Sequence, residues 1–149
     1  MAPPKLKPPV YVLMALIAMA CLHYFVPISR YLSSSFSYVG LVPLIVGVGI
    51  AFTAVRAFAR AGTPLVPFET STVVVKTGLY RLTRNPMYLG MVLALVGVAL
   101  LLGSVASLAP IPVFAWFIGR YFIRPEEVFL EGLFGAEYLE YKAQVRRWL

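Results

Sequence analysis

The sequence is poor in the residues that build metal sites, disulfides and charged surfaces. Of its 149 residues, one is cysteine, one is histidine and six are acidic. The single cysteine, Cys21, excludes an internal disulfide, and a lone histidine, His23, makes a poor metal site. The chain also lacks a linker-like stretch, an internal repeat and any segment typical of nucleic-acid recognition. We therefore predict one domain over residues 1–149, with no metal and no nucleic-acid partner.

Apolar residues, by contrast, dominate the chain. Hydrophobic types make up 60% of it and the mean hydropathy is +0.84, more than a soluble domain of this length can bury. Four segments, roughly 10–27, 36–58, 86–103 and 105–122, are apolar over the about 20 residues that a helix needs to cross a bilayer. The sequence predicts an all-α integral membrane fold of about four transmembrane helices, the last two joined in a tight hairpin at Gly103-Ser104.

The basic residues predict the orientation of these helices. Twelve of the 13 flank the segment ends that would share one side of the membrane, and only Arg30 falls on the other. The positive-inside rule makes the first side cytoplasmic, so we expect both termini there. Lys5 and Lys7 before the first span mimic a signal peptide, but no small-residue cleavage site follows, which favours a retained helix. The net charge of +7 indicates this topology and contact with anionic lipid, and the small size favours a prokaryotic inner membrane.

Two polar segments lie on the predicted cytoplasmic side. The loop 59–85 is long for so small a protein, and such loops are usually functional; we expect it to be extended and folded against the bundle. The tail 126–149 carries an apolar stripe at helical spacing and is predicted to lie at the membrane interface. Gly132 and Gly135 are expected to break this tail helix into pieces.

Two short motifs place charges at the edge of the bundle. In Arg84-Asn85-Pro86, asparagine is a strong N-cap and proline suits the first helical position, so a helix should start here. Pro125-Glu126-Glu127 also has the pattern of a helix start. The arginines near these motifs are also explained simply as side chains at the membrane edge whose charged ends reach water. Adjacent carboxylates at the bilayer edge are costly without a partner, however, which favours a binding site there.

With these motifs the chain resembles the superfamily of isoprenylcysteine carboxyl methyltransferases and phospholipid methyltransferases, over roughly residues 62–148. The family pattern of Arg-His-Pro-x-Tyr-x-Gly, a helical hairpin, a Glu-Glu pair and an aromatic tail corresponds here to segments 84–90, 126–127 and 134–148. The chain departs from it at Asn85, where many members carry histidine. Asparagine can donate and accept hydrogen bonds but cannot become cationic.

The resemblance implies a membrane enzyme that uses S-adenosylmethionine and releases S-adenosylhomocysteine. Its site would lie between the cytoplasmic ends of the last two spans, closed by the tail. Arg84 and Glu127 would be the catalytic residues. The residues implied to bind the cofactor are Leu79, Tyr80, Arg84, Asn85, Tyr88, Gly90, Glu126 and Glu127. Gly90 is expected to let the ligand approach the helix backbone.

The implied reaction moves a methyl group to a lipophilic acceptor that arrives through the bilayer: a lipophilic small molecule, a lipid or a prenylated substrate. A carboxylate or thiolate acceptor needs no base, whereas a protonated amine would need one, with Glu69, Glu126 and Glu127 as candidates. Two alternatives stay open. One is an NADPH-dependent membrane reductase of the sterol-reductase type, and the other is a non-catalytic membrane scaffold. The oligomeric state is not predicted.

Overall fold

The computed structural model describes residues 6–26, 29, 37–62 and 72–149, and this part of the chain contains six α-helices. Short 3₁₀ turns occur at Ser37–Gly40, Gly78–Arg81 and Val105–Leu108, and a π turn at Gly119–Ile123. The helices are α1 (Pro8–Phe25), α2 (Leu41–Arg60), α3 (Pro86–Leu102), α4 (Pro110–Ile118), α5 (Arg124–Phe134) and α6 (Ala136–Gln144).

The predicted all-helical membrane architecture is confirmed. Three helical stretches, 8–25, 37–60 and 105–134, are long and apolar enough to cross a bilayer. The fourth, α3, has 17 residues, the lower limit for a span. It begins at Pro86 as predicted and ends at Gly103, whose φ of +63° is the left-handed conformation that favours glycine. The chain therefore reverses after α3, and α3 and α4 form the expected hairpin.

Helices α2 and α3 pack antiparallel with their backbones in close contact. A Cβ added at Gly47 would lie 2.5 Å from the Ala94 nitrogen, and one at Gly90 would lie 2.5 Å from the Gly47 carbonyl oxygen. Gly40 and Gly97 form a second such pair, about two helical turns along the same contact. Small residues let membrane helices approach closely enough for dense packing. This glycine seam shows that Gly90 contacts α2, while its expected role in letting a ligand approach the backbone stays a prediction.

The fourth span differs from its prediction, because it does not end near residue 122. Helix α4 continues through the π turn into α5 without a break, and Ile123 and Arg124 keep helical backbone angles. The Arg124 N–H donates to the Gly119 carbonyl, five residues back. The wider turn accommodates Pro125, which has no N–H and whose ring would clash in a regular α-helix. Pro125-Glu126-Glu127 is therefore not a helix start, and these glutamates do not interact with a free helix N-terminus.

The tail folds back against the start of α3. The tail helix is broken into two pieces, as predicted: the break lies at Gly135, with φ of +53°, and Gly132 lies inside α5. Val74, which lies in the loop before α3, packs with Tyr138 and Tyr141 of α6, and Val75 packs with the 3₁₀ turn at 78–81. Residues 72–77 have no regular structure, in agreement with the predicted extended loop, and Glu69 lies outside the described residues. A separate apolar core joins α1, α3 and α4.

Candidate active site

A cavity of about 60 Å³ lies where the start of α3, helices α5 and α6 and the loop 73–75 meet. It brings together residues that are far apart in sequence, because the tail returns to the beginning of α3. Polar and aromatic side chains form most of its wall. They are Tyr80, Arg84, Asn85, Tyr88, Glu126, Glu127, Tyr138 and Tyr141, with Phe58, Val73, Val74, Val75, Met87, Ile123 and Leu130 completing the lining.

Glu127 is buried, with 4% of its surface exposed, and binds two arginines. Its Oε1 accepts from Arg84 Nη2 at 2.9 Å and from Arg147 Nε at 3.1 Å, and its Oε2 accepts from Arg147 Nη2 at 2.6 Å. The hydrogen bond to Glu127 raises the pKa of the Arg147 guanidinium, which stays cationic. Both carboxylate oxygens are therefore already engaged, which makes Glu127 a clamp between α3 and the tail.

Arg84 is the second part of this clamp. Its Nη1 donates to the backbone carbonyls of Lys142 at 2.8 Å and Val145 at 3.1 Å, and its own backbone N–H donates to the Arg146 carbonyl at 2.9 Å. Carbonyl oxygens of the tail thus surround a buried cation. The Nε–H of Arg84, however, is buried and has no hydrogen-bond partner among the residues that the structure describes. A buried donor left unpaired is costly and suggests a ligand acceptor at this side of the guanidinium.

Asn85 stands at the N-cap position of α3, but its side chain does not cap the helix. Its Nδ2 donates instead to the Arg147 carbonyl at 3.0 Å, and Thr83 Oγ1 donates to the same oxygen at 3.0 Å. The backbone N–H of Asn85 donates to Thr83 Oγ1 at 3.2 Å. The predicted helix start is confirmed, while the predicted capping role of asparagine is wrong because the side chain holds the tail.

Glu126 has a different environment from its neighbour. Among the described residues its carboxylate accepts one hydrogen bond, from the Tyr88 hydroxyl at 3.3 Å, and pairs with no cation. The side chain is partly buried at the cavity wall. A buried carboxylate is stable when cations or hydrogen-bond donors surround it. Glu126 is therefore the carboxylate of this cavity that has free acceptor capacity for a ligand.

Tyrosine rings form the tail side of the cavity. Tyr141 donates its hydroxyl to the Tyr80 carbonyl at 2.7 Å, and the Tyr138 and Tyr141 ring centroids are 6.0 Å apart. Burial raises the pKa of Tyr141 to about 12, and burial likewise raises the pKa of Tyr80 and Tyr138. These phenols stay protonated near neutral pH, so they can stack on a ligand or donate to it but cannot act as bases.

Most of the residues that the sequence predicts for the site line one cavity, and two of them lie elsewhere. Leu79 lines a different groove, beside α2, and Gly90 lies in the glycine seam. The sequence analysis missed Thr83 as a contact to the tail and Arg147 as a partner of Glu127. Arg147, like Tyr138 and Tyr141, belongs to the tail segment of the family pattern, but no local pattern identifies these contacts. Thr83 and Arg147 are 64 residues apart in sequence, and Arg147 and Glu127 are 20 apart.

Comparison with known proteins gives a family match. The model of the phospholipid methyltransferase family matches residues 36–137, more than half of the chain. A probable protein-S-isoprenylcysteine O-methyltransferase of Oryza sativa subsp. indica is 35% identical over 115 residues, which cover 76% of this chain and 60% of that protein. The protein-S-isoprenylcysteine O-methyltransferase of Saccharomyces cerevisiae is 41% identical over 80 residues, covering 52% of this chain and 32% of that one.

The fold has a counterpart among solved structures. The eukaryotic intramembrane Ras methyltransferase, an isoprenylcysteine carboxyl methyltransferase, aligns with a TM-score of 0.74 at 24% identity. The alignment covers 95% of this chain and 51% of that chain. The similarity at this identity shows a shared fold. The chain thus spans at most 60% of the length of the relatives described here.

Proposed function

Because the chain belongs to the phospholipid methyltransferase family, we propose that it moves a methyl group from S-adenosylmethionine to a lipophilic acceptor at the cytoplasmic edge of a membrane. The observation that carries the proposal is the cavity that Arg84, Glu126 and several tyrosines line together, in which the described residues leave the Arg84 Nε–H and the Glu126 carboxylate with hydrogen-bonding capacity for a ligand. The cavity adjoins helices that are apolar enough for a bilayer, so a lipophilic acceptor can approach from the side.

The side chains of the cavity fit the polar groups of the cofactor. The Glu126 carboxylate suits the ammonium of the methionine moiety, and the unpaired Arg84 Nε–H suits its carboxylate. The faces of Tyr88 and Tyr138 suit a cationic sulfonium or a flat adenine ring. When bound, S-adenosylmethionine supplies an activated methyl group together with its own thioether leaving group. The protein's task is then to orient the two reactants and to exclude water.

The residues that line the cavity favour an acceptor that needs no base. Glu127 is neutralised by two arginines, the tyrosines stay protonated, and Glu126 is assigned to the cofactor. No other acidic or histidine side chain of the described residues lines the cavity. A carboxylate acceptor is already nucleophilic, so we propose an isoprenylcysteine-like carboxylate rather than a phospholipid amine. Relatives named isoprenylcysteine O-methyltransferases support this choice.

The size of the cavity implies that the tail moves when the cofactor binds. Small-molecule sites usually enclose about 300–1,000 Å³, and this cavity has about 60 Å³. The tail is held by polar contacts to residues 83–85 and by the Arg147–Glu127 pair, whose arginine is one third exposed. We expect these contacts to loosen as the cofactor enters, while Arg84 stays in the wall.

The test is calorimetric titration of the full chain in detergent with S-adenosylhomocysteine, and with NADPH in parallel. We expect saturable binding of S-adenosylhomocysteine alone. Glu126→Gln should weaken it by about tenfold or more, because a hydrogen bond to a charged group contributes roughly 1.5–3 kcal/mol. Glu140→Gln, the same change on an exposed face of α6, is the matched control and should bind like the unmodified protein.

Each other outcome has a distinct meaning. Binding of NADPH alone would favour the alternative that the protein is an NADPH-dependent reductase. Binding of neither compound by protein with intact helical circular dichroism would favour the scaffold alternative. If S-adenosylhomocysteine bound equally to the Glu126→Gln and Glu140→Gln variants, the cofactor would be present but our assignment of Glu126 to it would be wrong.

A further inference from the structure

A second concave site lies between α4 and the end of the tail. It has a volume of about 190 Å³ and shares no lining residue with the candidate active site. Three arginines and both tryptophans of the chain surround it. The described residues that line it are Ala115, Trp116, Gly119, Arg120, Arg124, Arg147 and Trp148. We call it the arginine pocket, and neither the proposed methyl transfer nor its cofactor uses it.

The arginine pocket carries positive charge that the described residues do not balance. Arg120 and Arg124 are exposed, and no acidic side chain among the described residues forms an ion pair with either. Arg147 pairs with Glu127, but that one carboxylate also neutralises Arg84. None of the described residues that line the pocket is a glutamate. Three guanidiniums around one concavity therefore favour an anion, since arginine donors match the geometry of phosphate oxygens.

The position of the pocket along the helix indicates that its anion belongs to a membrane lipid. The stretch that begins at Val105 is apolar as far as Ile118, and Arg120 is the first charged residue after it. Trp116, exposed one turn before Arg120, lies on the apolar side of the pocket. Tryptophan beside arginine is typical of the boundary between hydrocarbon and headgroups. A ligand here meets cations on one side and an apolar indole on the other.

We propose that the arginine pocket binds the phosphodiester headgroup of an anionic phospholipid, whose glycerol and upper acyl chains contact Trp116. No acidic side chain among the described residues lines the pocket, so these residues offer no partner for the cation of a zwitterionic headgroup such as phosphocholine. Contact of an exposed basic pocket with the headgroup region lets several arginines share one phosphate. The proposal stands independently of the methyltransferase function, because it uses a different surface.

The two tryptophans make the pocket directly observable, since the whole chain contains no others and both line it. The full chain in uncharged detergent is titrated with short-chain phosphatidylglycerol, with phosphatidylcholine of the same chain length, and with inorganic phosphate, and tryptophan fluorescence is recorded. The test variant is Arg120→Gln with Arg124→Gln. The matched control is Arg56→Gln with Arg60→Gln, an exposed arginine pair with the same spacing on α2.

We expect a saturable fluorescence change with phosphatidylglycerol. The affinity should be at least about tenfold lower for phosphatidylcholine, and also for phosphatidylglycerol in the Arg120/Arg124 variant. The Arg56/Arg60 variant should bind phosphatidylglycerol like the unmodified protein. Equal weakening in both variants would indicate unspecific surface attraction and overturn the proposal. Saturation by inorganic phosphate at the same concentrations would show a soluble-anion site and overturn its assignment to lipid. No saturable change with any of the three compounds would also overturn it.

Discussion

Two adjacent residues of the same type have opposite tasks in this protein. Glu127 is saturated by Arg84 and Arg147, whereas Glu126 receives one hydrogen bond from Tyr88. The pair as a whole was recognisable in the sequence, because neighbouring carboxylates at a bilayer edge need partners. Which glutamate is the clamp was not predictable. That depends on Arg147, which reaches Glu127 only after the chain reverses at Gly135.

Glu127→Gln should therefore reduce stability, in contrast to Glu126→Gln, which should reduce cofactor affinity. Removing the carboxylate leaves Arg84 buried without its counter-charge, a loss of about 3 kcal/mol for a buried pair. The measurement is thermal unfolding of the full chain in detergent. Glu131→Gln is the control, since its pair with Lys142 is partly exposed and should contribute at most about 1 kcal/mol. Equal effects of the two variants would contradict the clamp role.

Asn85 gives a second prediction for a single residue. Its Nδ2 donates to the Arg147 carbonyl, so Asn85→Asp would place a carboxylate oxygen against a carbonyl oxygen. We expect the tail to detach, with a stability loss of about 1–3 kcal/mol and faster proteolysis at the tail arginines. Gln144→Glu, an equivalent change at an exposed residue of α6, should leave proteolysis unchanged. Proteolysis at the same rate in both variants would show that Asn85 does not hold the tail.

At the scale of elements, the sequence predicted where helices lie better than how they connect. Hydropathy located the first three apolar helices and the beginning of the fourth to within a few residues. It placed a boundary before Pro125, where the structure has a π turn that carries the helix through. Proline starts helices and also occurs inside them when a wider turn relieves its clash, and the sequence alone does not distinguish the two. The choice is made by tertiary packing of Phe122 and Ile123 in the core.

The glycine seam gives a prediction at this scale, with a control in the same helix. A Cβ at Gly47 would meet backbone atoms of α3 at 2.5 and 2.6 Å, while one at Gly49 has open space around it. Gly47→Ala should separate α2 from α3 and destabilise the protein by about 1–3 kcal/mol. Gly49→Ala should be neutral or stabilising by up to about 1 kcal/mol, since alanine favours the helix. Thermal unfolding in detergent compares them, and a reversed order would contradict the close packing.

At the scale of the whole molecule, the order of motifs was more informative than any one of them. The resemblance to the methyltransferase superfamily, based on three short patterns, is confirmed by the family match over residues 36–137. Composition and hydropathy alone would have given a helical membrane protein without an activity. The cavity was not predictable, because the tail that lines it is held in place partly by tail carbonyls that accept from Arg84, and such backbone contacts leave no signature in the residue types.

The orientation in the membrane remains a prediction, and the arrangement of the helices makes it testable. The polar cluster, α6 and every basic residue of the described part lie at one end of the bundle. Ser29 lies at the other end, where its carbonyl accepts from the Val105 N–H at 3.2 Å. The positive-inside rule places the basic end in the cytoplasm. A cytoplasmic cavity would have access to a soluble cofactor made inside the cell.

Cysteine labelling in intact cells distinguishes the two orientations. In a Cys21→Ala background, which removes the lone cysteine, Ser29→Cys and Gln144→Cys introduce one thiol each at exposed positions. We expect a membrane-impermeant maleimide to label the Ser29→Cys protein in intact cells and the Gln144→Cys protein only after permeabilisation. The reverse pattern would show an inverted protein, whose cavity could not receive a cytosolic cofactor. Labelling of both in intact cells would contradict the spans themselves, because an odd number of crossings must separate Ser29 from α6.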